Sequence, residues 1–275
     1  MFVTSLPYRL CAIDLDDTLL GSDHRISQRN ARAVHATIAR GVTVVIASGR
    51  MHEATLRFAE QLGLETPIIS YNGAMVKLPR TGEEWLHERV PADLAGELMD
   101  FCSERGLQLN FYLHGRVYTA AYTEWMKLYH ERTLCPYEVL PEMYTALRGE
   151  SPTKLIIVDT PEFTSSLVPM FRERFAGKLY VTKTTDEYLE FMPPNTNKGL
   201  ALALVAERLG FTAAETIAMG DNYNDVPMVR WAGLGIAVGN AKPELLAVAD
   251  RIVLRYDEDG VGIALEEIFG LEPNG

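Results

Sequence analysis

Basic residues are outnumbered in this chain: 26 Lys and Arg stand against 37 Asp and Glu, a formal charge of -11 over 275 residues. Such a balance argues against sequence-independent nucleic-acid binding, which needs clustered Lys and Arg. An anionic ligand would have to meet positive charge supplied locally. Cysteine is sparse too. Cys11, Cys102 and Cys135 are odd in number and form no CxxC pair, so neither a disulfide framework nor a thiolate zinc site is expected, and unpaired thiols in a reducing compartment are. The six histidines are scattered without an HExxH pair, which argues against a histidine-based metal centre. No uncharged run approaches the roughly 20 residues of a membrane helix. The start of the chain, residues 1–7, lacks the basic residues and long apolar stretch of a signal peptide. The expectation is a soluble cytoplasmic protein that binds neither membrane nor nucleic acid.

What is present is apolar bulk. Hydrophobic residues make up 47% of the chain, enough for a sizeable core, and the length favours two domains or one core carrying an insertion. The most informative segment is Asp14-Leu15-Asp16-Asp17-Thr18-Leu19-Leu20, directly after the apolar run Leu10 to Ile13. That run reads as a central strand of a parallel sheet, where charge is tolerated only at the end that opens into a cleft. Asp14 and Asp16 lie two positions apart and would point the same way from an extended segment. Two like charges that close require either a bound cation or a carboxyl that keeps its proton.

The pattern after this strand is β-α-β-α-β. Ser27 is placed to cap a helix reaching residue 40, with Ala31, Val34 and Ile38 on its apolar face and Gly41 closing it. A strand over 42–47 runs into Ser48-Gly49-Arg50, a helix over 52–62 follows, and a third strand over 68–71 ends in Asn72-Gly73. Three polar clusters thereby fall on one edge of one parallel sheet. Between about 74 and 194 the rhythm changes to hairpin-like strands, such as 107–113 and 117–120 across His114-Gly115-Arg116. Helices are expected over 91–105 and 162–175, and strands over 154–159, 178–183 and 188–192. The mixture suggests an α+β domain with helices on one face of a sheet. The α/β rhythm returns with a helix over 197–209, a strand 216–219 ending in Gly220-Asp221, a short helix 225–231 and strands 235–238 and 251–254. The fold class expected is α/β, a Rossmann-like parallel-sheet core over residues 1–82 and 191–275 with an inserted α+β cap over 83–190.

Four clusters share that core: Asp14/Asp16, Ser48-Gly49-Arg50, Lys198, and Gly220-Asp221-Asn222-Tyr223-Asn224-Asp225. Each alone is ordinary turn or cap composition. Together they supply what phosphoryl transfer from an ester needs: a nucleophile, a cation, donors for developing charge, and an acid for the leaving oxygen. Asp14 can attack to form an aspartyl phosphate. Asp16 can protonate the leaving alcohol and then deprotonate water. Ser48 and Gly49 offer a hydroxyl and N–H groups at a helix start, Lys198 offers positive charge, and Asp221 adds a carboxylate for a hard cation. Oxygen ligands without Cys or His point to Mg2+. Asn224 and Asp225 could orient the ion's waters, the phosphate or Lys198.

With these residues in place the chain resembles the haloacid dehalogenase superfamily phosphatases, in particular the Cof-like group with a cap between its second and third motifs. The matching segments are DLDDTLL (14–20), ASGR (47–50), NKG (197–199) and GDNYND (220–225), with Asn72-Gly73 also fitting the group. The resemblance spans essentially the whole chain. It implies that Asp14 is nucleophile and metal ligand, that Asp16 is the acid/base and binds metal through its carbonyl, and that Asp221 is the remaining metal ligand. Ser48, Gly49, Lys198 and Asn224 would hold phosphate, with Asp225, Asn72 and Arg50 behind them, although Arg50 could equally reach the substrate or cap the following helix. The implied activity is Mg2+-dependent hydrolysis of a small phosphorylated metabolite, such as a sugar phosphate. Alternatives are a phosphomutase or phosphotransferase using the same aspartyl phosphate, and a non-catalytic phosphate or Mg2+ sensor. Within the insertion, which is expected to cover the site, Tyr112, His114, Arg116 and Lys183 have suitable chemistry for the substrate, but no pattern singles them out.

Overall fold

The computed structural model describes residues 7–183 and 185–272, so the reading of the first six residues lies outside it. The chain divides into two compact units. One is built from the chain up to Gly49, Thr55–Leu86 and the chain from Asn197 onward; the other comprises Arg50–Ala54 and His87–Thr196.

In chain order the first stretch supplies β1 (Leu10–Ile13), α1 (Gln28–Ala39), β2 (Thr43–Ile46), α2 (His52–Gln61), β3 (Ile68–Ser70), β4 (Met75–Lys77) and β5 (Glu84–His87). The insertion supplies α3 (Ala92–Arg105), β6 (Gln108–Leu113), β7 (Arg116–Thr119), α4 (Glu124–Thr133), β8 (Tyr137–Val139), α5 (Met143–Ala146), β9 (Lys154–Val158), α6 (Pro161–Arg174), β10 (Tyr180–Lys183) and β11 (Tyr188–Met192). The last stretch supplies α7 (Lys198–Leu209), β12 (Thr216–Gly220), α8 (Val226–Trp231), β13 (Leu234–Ala237), α9 (Pro243–Leu246), β14 (Arg251–Ile252) and α10 (Gly260–Phe269). None of the described helices is long and apolar enough to cross a membrane.

The first unit is organised around a parallel five-stranded sheet in the order β14-β13-β12-β1-β2. Its inner strands are apolar on both faces because both faces are covered. Alternate side chains divide between two cores, as the two-residue period of a strand requires. Cys11, Ile13, Val44, Ile46, Ile217 and Met219 pack with α1, α2 and α10. Leu10, Ala12, Val45, Ala47 and Ala218 pack with α7 and α8. The chain leaves β1 toward β2 on one side and returns to β12 on the other, so the strand order switches at β1, where open α/β sheets place ligands.

Two details of this unit differ from the sequence expectation. Among the described residues the third strand joins the parallel sheet by no ladder, just the isolated bridge Ala47–Ile69, and it pairs antiparallel with β4 in a separate sheet β3-β4-β5. The buried stripe of α1 is Asn30, Ala33, Val34 and Thr37, while Ile38 is exposed. The stripe tolerates two polar residues because they are bonded: Thr37 donates to the Ala33 carbonyl at 2.8 Å, and Asn30 is held at both ends of its amide, as described below. Ser27 does cap α1, accepting from the Asn30 N–H at 3.1 Å.

The second unit is a six-stranded sheet, β10-β11-β9-β6-β7-β8, antiparallel except for β7 with β8. Residues of α3, α5 and α6 join Leu109, Phe111, Leu155, Ile157, Leu189 and Phe191 in a core of its own. Helices are not confined to one face, however. Tyr112 points away from that core by strand alternation, and its hydroxyl bonds that of Tyr129 on α4, so α4 covers the opposite side.

Candidate active site

Three adjacent parallel strands deliver the polar clusters to one edge. The Asp14 N–H continues the β1–β12 ladder by donating to the Met219 carbonyl at 3.0 Å, and the Ala47 N–H donates to the Ile13 carbonyl at 3.0 Å. Asp14 is thus flanked by the segment entering Ser48 on one side and the segment entering Asp221 on the other. After Asp14 the backbone makes a tight irregular turn through Leu15–Leu19, closed by the Leu20 N–H on the Leu15 carbonyl at 2.9 Å. Leu15, Leu19 and Leu20 are fully buried and anchor the turn. Asp16 stays extended at φ -71°, ψ 129°, and Asp17 adopts left-handed φ 55°, a conformation Asp accepts better than most residues.

Lys198 opens α7, whose Asn197 cap accepts from the Leu200 N–H at 2.8 Å. Its ammonium is wholly buried and lies 2.5 Å from both Asp14 Oδ1 and Asp225 Oδ1. The other Asp225 oxygen accepts the N–H groups of Asp221 and Asn222, each at 3.0 Å. Asp225 therefore spends its carboxylate on fixing Lys198 and the loop. Thr18, buried in the turn, donates to Asp221 Oδ1 at 3.1 Å. On the other flank, Asn224 Nδ2 donates to Asn72 Oδ1 at 2.8 Å. A Cβ at Gly49 would come within 2.8 Å of that same Asn72 oxygen, so only glycine allows the approach.

Oxygens of Asp14, Asp221 and Asp225 all lie within 4.8 Å of one another, a group able to hold a metal ion. With Asp225 already committed to three donors, Asp14 and Asp221 are the two that fit, each having one oxygen outside the bonds just described. Three buried carboxylates against one ammonium is an imbalance of charge. Burial pushes the Asp14 carboxyl well above the usual carboxylate range; Lys198 opposes the rise, while Asp225, Asp221 and Asp16 reinforce it. Burial likewise raises Asp221, to about 7, with repulsion from Asp225 adding to it. For Lys198 burial works against the charge, and attraction to Asp14 and Asp225 outweighs it, so the ammonium is held above the ordinary lysine range. Such a cluster is ionised comfortably only with a further cation among its oxygen donors.

All the site candidates but one belong to the first unit; Arg50 falls in the second. Of the insertion residues considered earlier, three are engaged within their own unit. Tyr112 is buried beneath α4, Arg116 pairs with Glu138 at 2.8 Å, and Lys183 donates to Ser165 Oγ at 2.7 Å. His114 is exposed at the hairpin tip. Two further residues join the site's framework that are not among the sequence candidates: Thr18, which lies inside the DLDDTLL segment, and Asn240, which follows a parallel strand as the other clusters do. Asn240 donates to the Asp17 carbonyl at 2.8 Å.

Comparison with known proteins gives the family. The family model for haloacid dehalogenase-like hydrolases matches residues 11–265. The chain belongs to that family. A relative from Streptococcus pyogenes is 30% identical over 262 residues, covering 94% of this chain and 97% of its own. The Bacillus subtilis 5-amino-6-(5-phospho-D-ribitylamino)uracil phosphatase YitU is 28% identical, covering 96% and 98%. A haloacid dehalogenase-like hydrolase from Bacteroides thetaiotaomicron superposes with a TM-score of 0.89 at 28% identity over 95% of this chain and all of its own. A crystal structure from Thermotoga maritima gives 0.86 at 33% identity over 94% and 97%. As a member of this family the chain is a phosphoric monoester hydrolase.

Proposed function

We propose that this family phosphatase hydrolyses the phosphate monoester of a small metabolite, a sugar phosphate or similar compound, through an aspartyl phosphate on Asp14 and with Mg2+ as its metal. The observation carrying this reading is the Asp14 carboxylate set 2.5 Å from a fully buried Lys198 ammonium at the point where strand order switches. In the first step an Asp14 oxygen attacks phosphorus, the ester P–O bond breaks, and the Asp16 carboxyl gives its proton to the departing alkoxide. In the second, the Asp16 carboxylate takes a proton from water, the water oxygen attacks phosphorus, and the bond to Asp14 breaks, returning both carboxylates to their starting states. Ser48, Gly49, Lys198 and Asn224 hold the phosphate oxygens, and Asp225 positions Lys198. Asp14, Asp221 and the Asp16 carbonyl would hold the metal, which supplies positive charge to the phosphate oxygens when bound. The oxygen-only donor set favours Mg2+ over softer ions. Substrate class draws support from YitU, whose named substrate is a phosphate ester on a ribityl chain.

The test is phosphate release from a panel of sugar phosphates, nucleotides, pyridoxal phosphate and phosphoglycolate, with and without Mg2+. Metal-dependent release is expected, together with complete loss in Asp14→Asn at unchanged circular dichroism. Turnover by Asp14→Asn at the wild-type rate would overturn the aspartyl phosphate. Transfer of the phosphoryl group to an added sugar, in place of release to water, would replace hydrolysis by phosphotransfer.

A further inference from the structure

Two asparagine amides outside every motif hold the turn that carries Asp16, and they do so in the same way. Asn240, after β13, donates Nδ2 to the Asp17 carbonyl at 2.8 Å and accepts the Tyr256 N–H on Oδ1 at 3.1 Å. Asn30, buried on α1, donates Nδ2 to the Leu19 carbonyl at 3.2 Å and accepts the Gly262 N–H on Oδ1 at 2.8 Å. Each amide therefore ties one carbonyl of the turn to one N–H at the start of α10 or just before it. The arrangement leaves no room for a side chain at position 262, where a Cβ would stand 2.8 Å from Asn30 Oδ1.

We propose that Asn240 and Asn30 are positioning residues that set the Asp16 carboxyl for proton transfer, a role that rests on the hydrolytic reading of Asp16 given above. The physical ground is the backbone at Asp17. Its left-handed φ of 55° is a sparsely populated state for a residue with a side chain and persists where surrounding bonds over-determine it. The Asn240 donor holds the peptide between Asp17 and Thr18, and Thr18 in turn reaches Asp221, so rotation of that peptide would be transmitted back to Asp16 and forward to the acidic cluster. The second clamp, two residues on, fixes the far end of the turn at Leu19. An acid misplaced by about 1 Å forfeits up to roughly 100-fold in rate.

The role predicts a leaving-group signature that loss of stability would not produce. Asn240→Asp keeps the acceptor for Tyr256 and removes the donor to Asp17; Asn240→Ala removes both. For each, kcat/KM on an alkyl phosphate such as glycerol phosphate is expected to fall about 10- to 100-fold, with at most about a threefold loss on p-nitrophenyl phosphate, whose leaving group departs without a proton. KM should stay within about twofold. In an Asp16→Asn background the same Asn240 change should cost almost nothing further, because the pair acts as a unit. Equal losses on both esters, or an additive loss in the Asp16→Asn background, would overturn the clamp while leaving the phosphatase reading intact. Wild-type protein that releases no phosphate from these esters or from any ester of the panel above, or is indifferent to Asp16→Asn, would instead overturn the reading and the clamp together. Should Asn240→Ala be too unstable to assay, Asn240→Asp alone decides the matter.

Discussion

Lys198 is the residue on which the electrostatics of the site turn. It is a single ammonium with no exposure, shared between Asp14 and Asp225, and its removal leaves carboxylates buried beside one another. Lys198→Met is therefore expected to destabilise the metal-free protein by about 3–5 kcal/mol and to abolish phosphate release. Added divalent metal should recover part of the lost melting temperature without recovering turnover, since a cation can replace charge but not the ammonium's position. A thermal melt with and without metal checks this. The same residue shows what a sequence can disclose. Lys198 is marked in the sequence by opening a helix that returns to the core, Asp14 and Asp221 by following apolar strands, and the folded chain brings these together. The bonds from Thr18 to Asp221 and from Asn240 to Asp17 depend on which turn faces which loop across the sheet edge, and no local pattern encodes that.

Among the elements, the six-stranded sheet of the insertion is secured by a ring cluster. Phe171 on α6 stands edge-on to Phe101 and Phe191, each at 4.9 Å, and stacks on Phe175 at 5.7 Å. Phe171→Ala should cost about 3–5 kcal/mol, and the cost should fall within the insertion's own core. Hydrogen exchange is the measurement: amides of β9 and β11 should exchange faster, while those of β1 and β12 keep their protection. Faster exchange in β1 would show that the two cores are not energetically separate. Strong periodicity and clear caps made α1, α3, α6 and the hairpin β6–β7 legible in advance. Four helices were not: the single-turn α5 and α9, too short to show a period, and the longer α4 and α10. In α4, Glu124–Thr133, only Met126 and Tyr129 are buried, too few to make a stripe. In α10 the opening residues are Gly260, Val261 and Gly262, a composition that reads as a loop; the second of those glycines is demanded by Asn30, a tertiary reason invisible along the chain.

For the molecule as a whole the acidic cluster sets a dependence of stability on pH. Asp221 rises from its ordinary 3.8 to about 7 in the folded chain, so between those values the native state binds more protons than the unfolded one. The stability this group contributes is complete below pH 4 and is lost as pH rises through about 7. Metal-free protein should accordingly be about 2–4 kcal/mol less stable at pH 8 than this group would allow at pH 4. A divalent metal, which competes with that proton, should raise the melting temperature more at pH 8 than at pH 5. Asp221→Asn keeps an acceptor for Thr18 and should flatten both dependences, a result readable in a series of thermal melts.

The interleaved order of the parallel sheet has a consequence for synthesis in the cell. Thr18 and its partner Asp221 are 203 positions apart, and β1 cannot complete its central place until β12 has left the ribosome. At about 5–20 residues per second that delay is roughly 10–40 s. Meanwhile β1 and β2 wait with an open edge while the whole insertion is made, its last strand ending at Met192 just ahead of β12, and chaperone demand should be concentrated on the first eighty or so residues, those that encode the nucleophile.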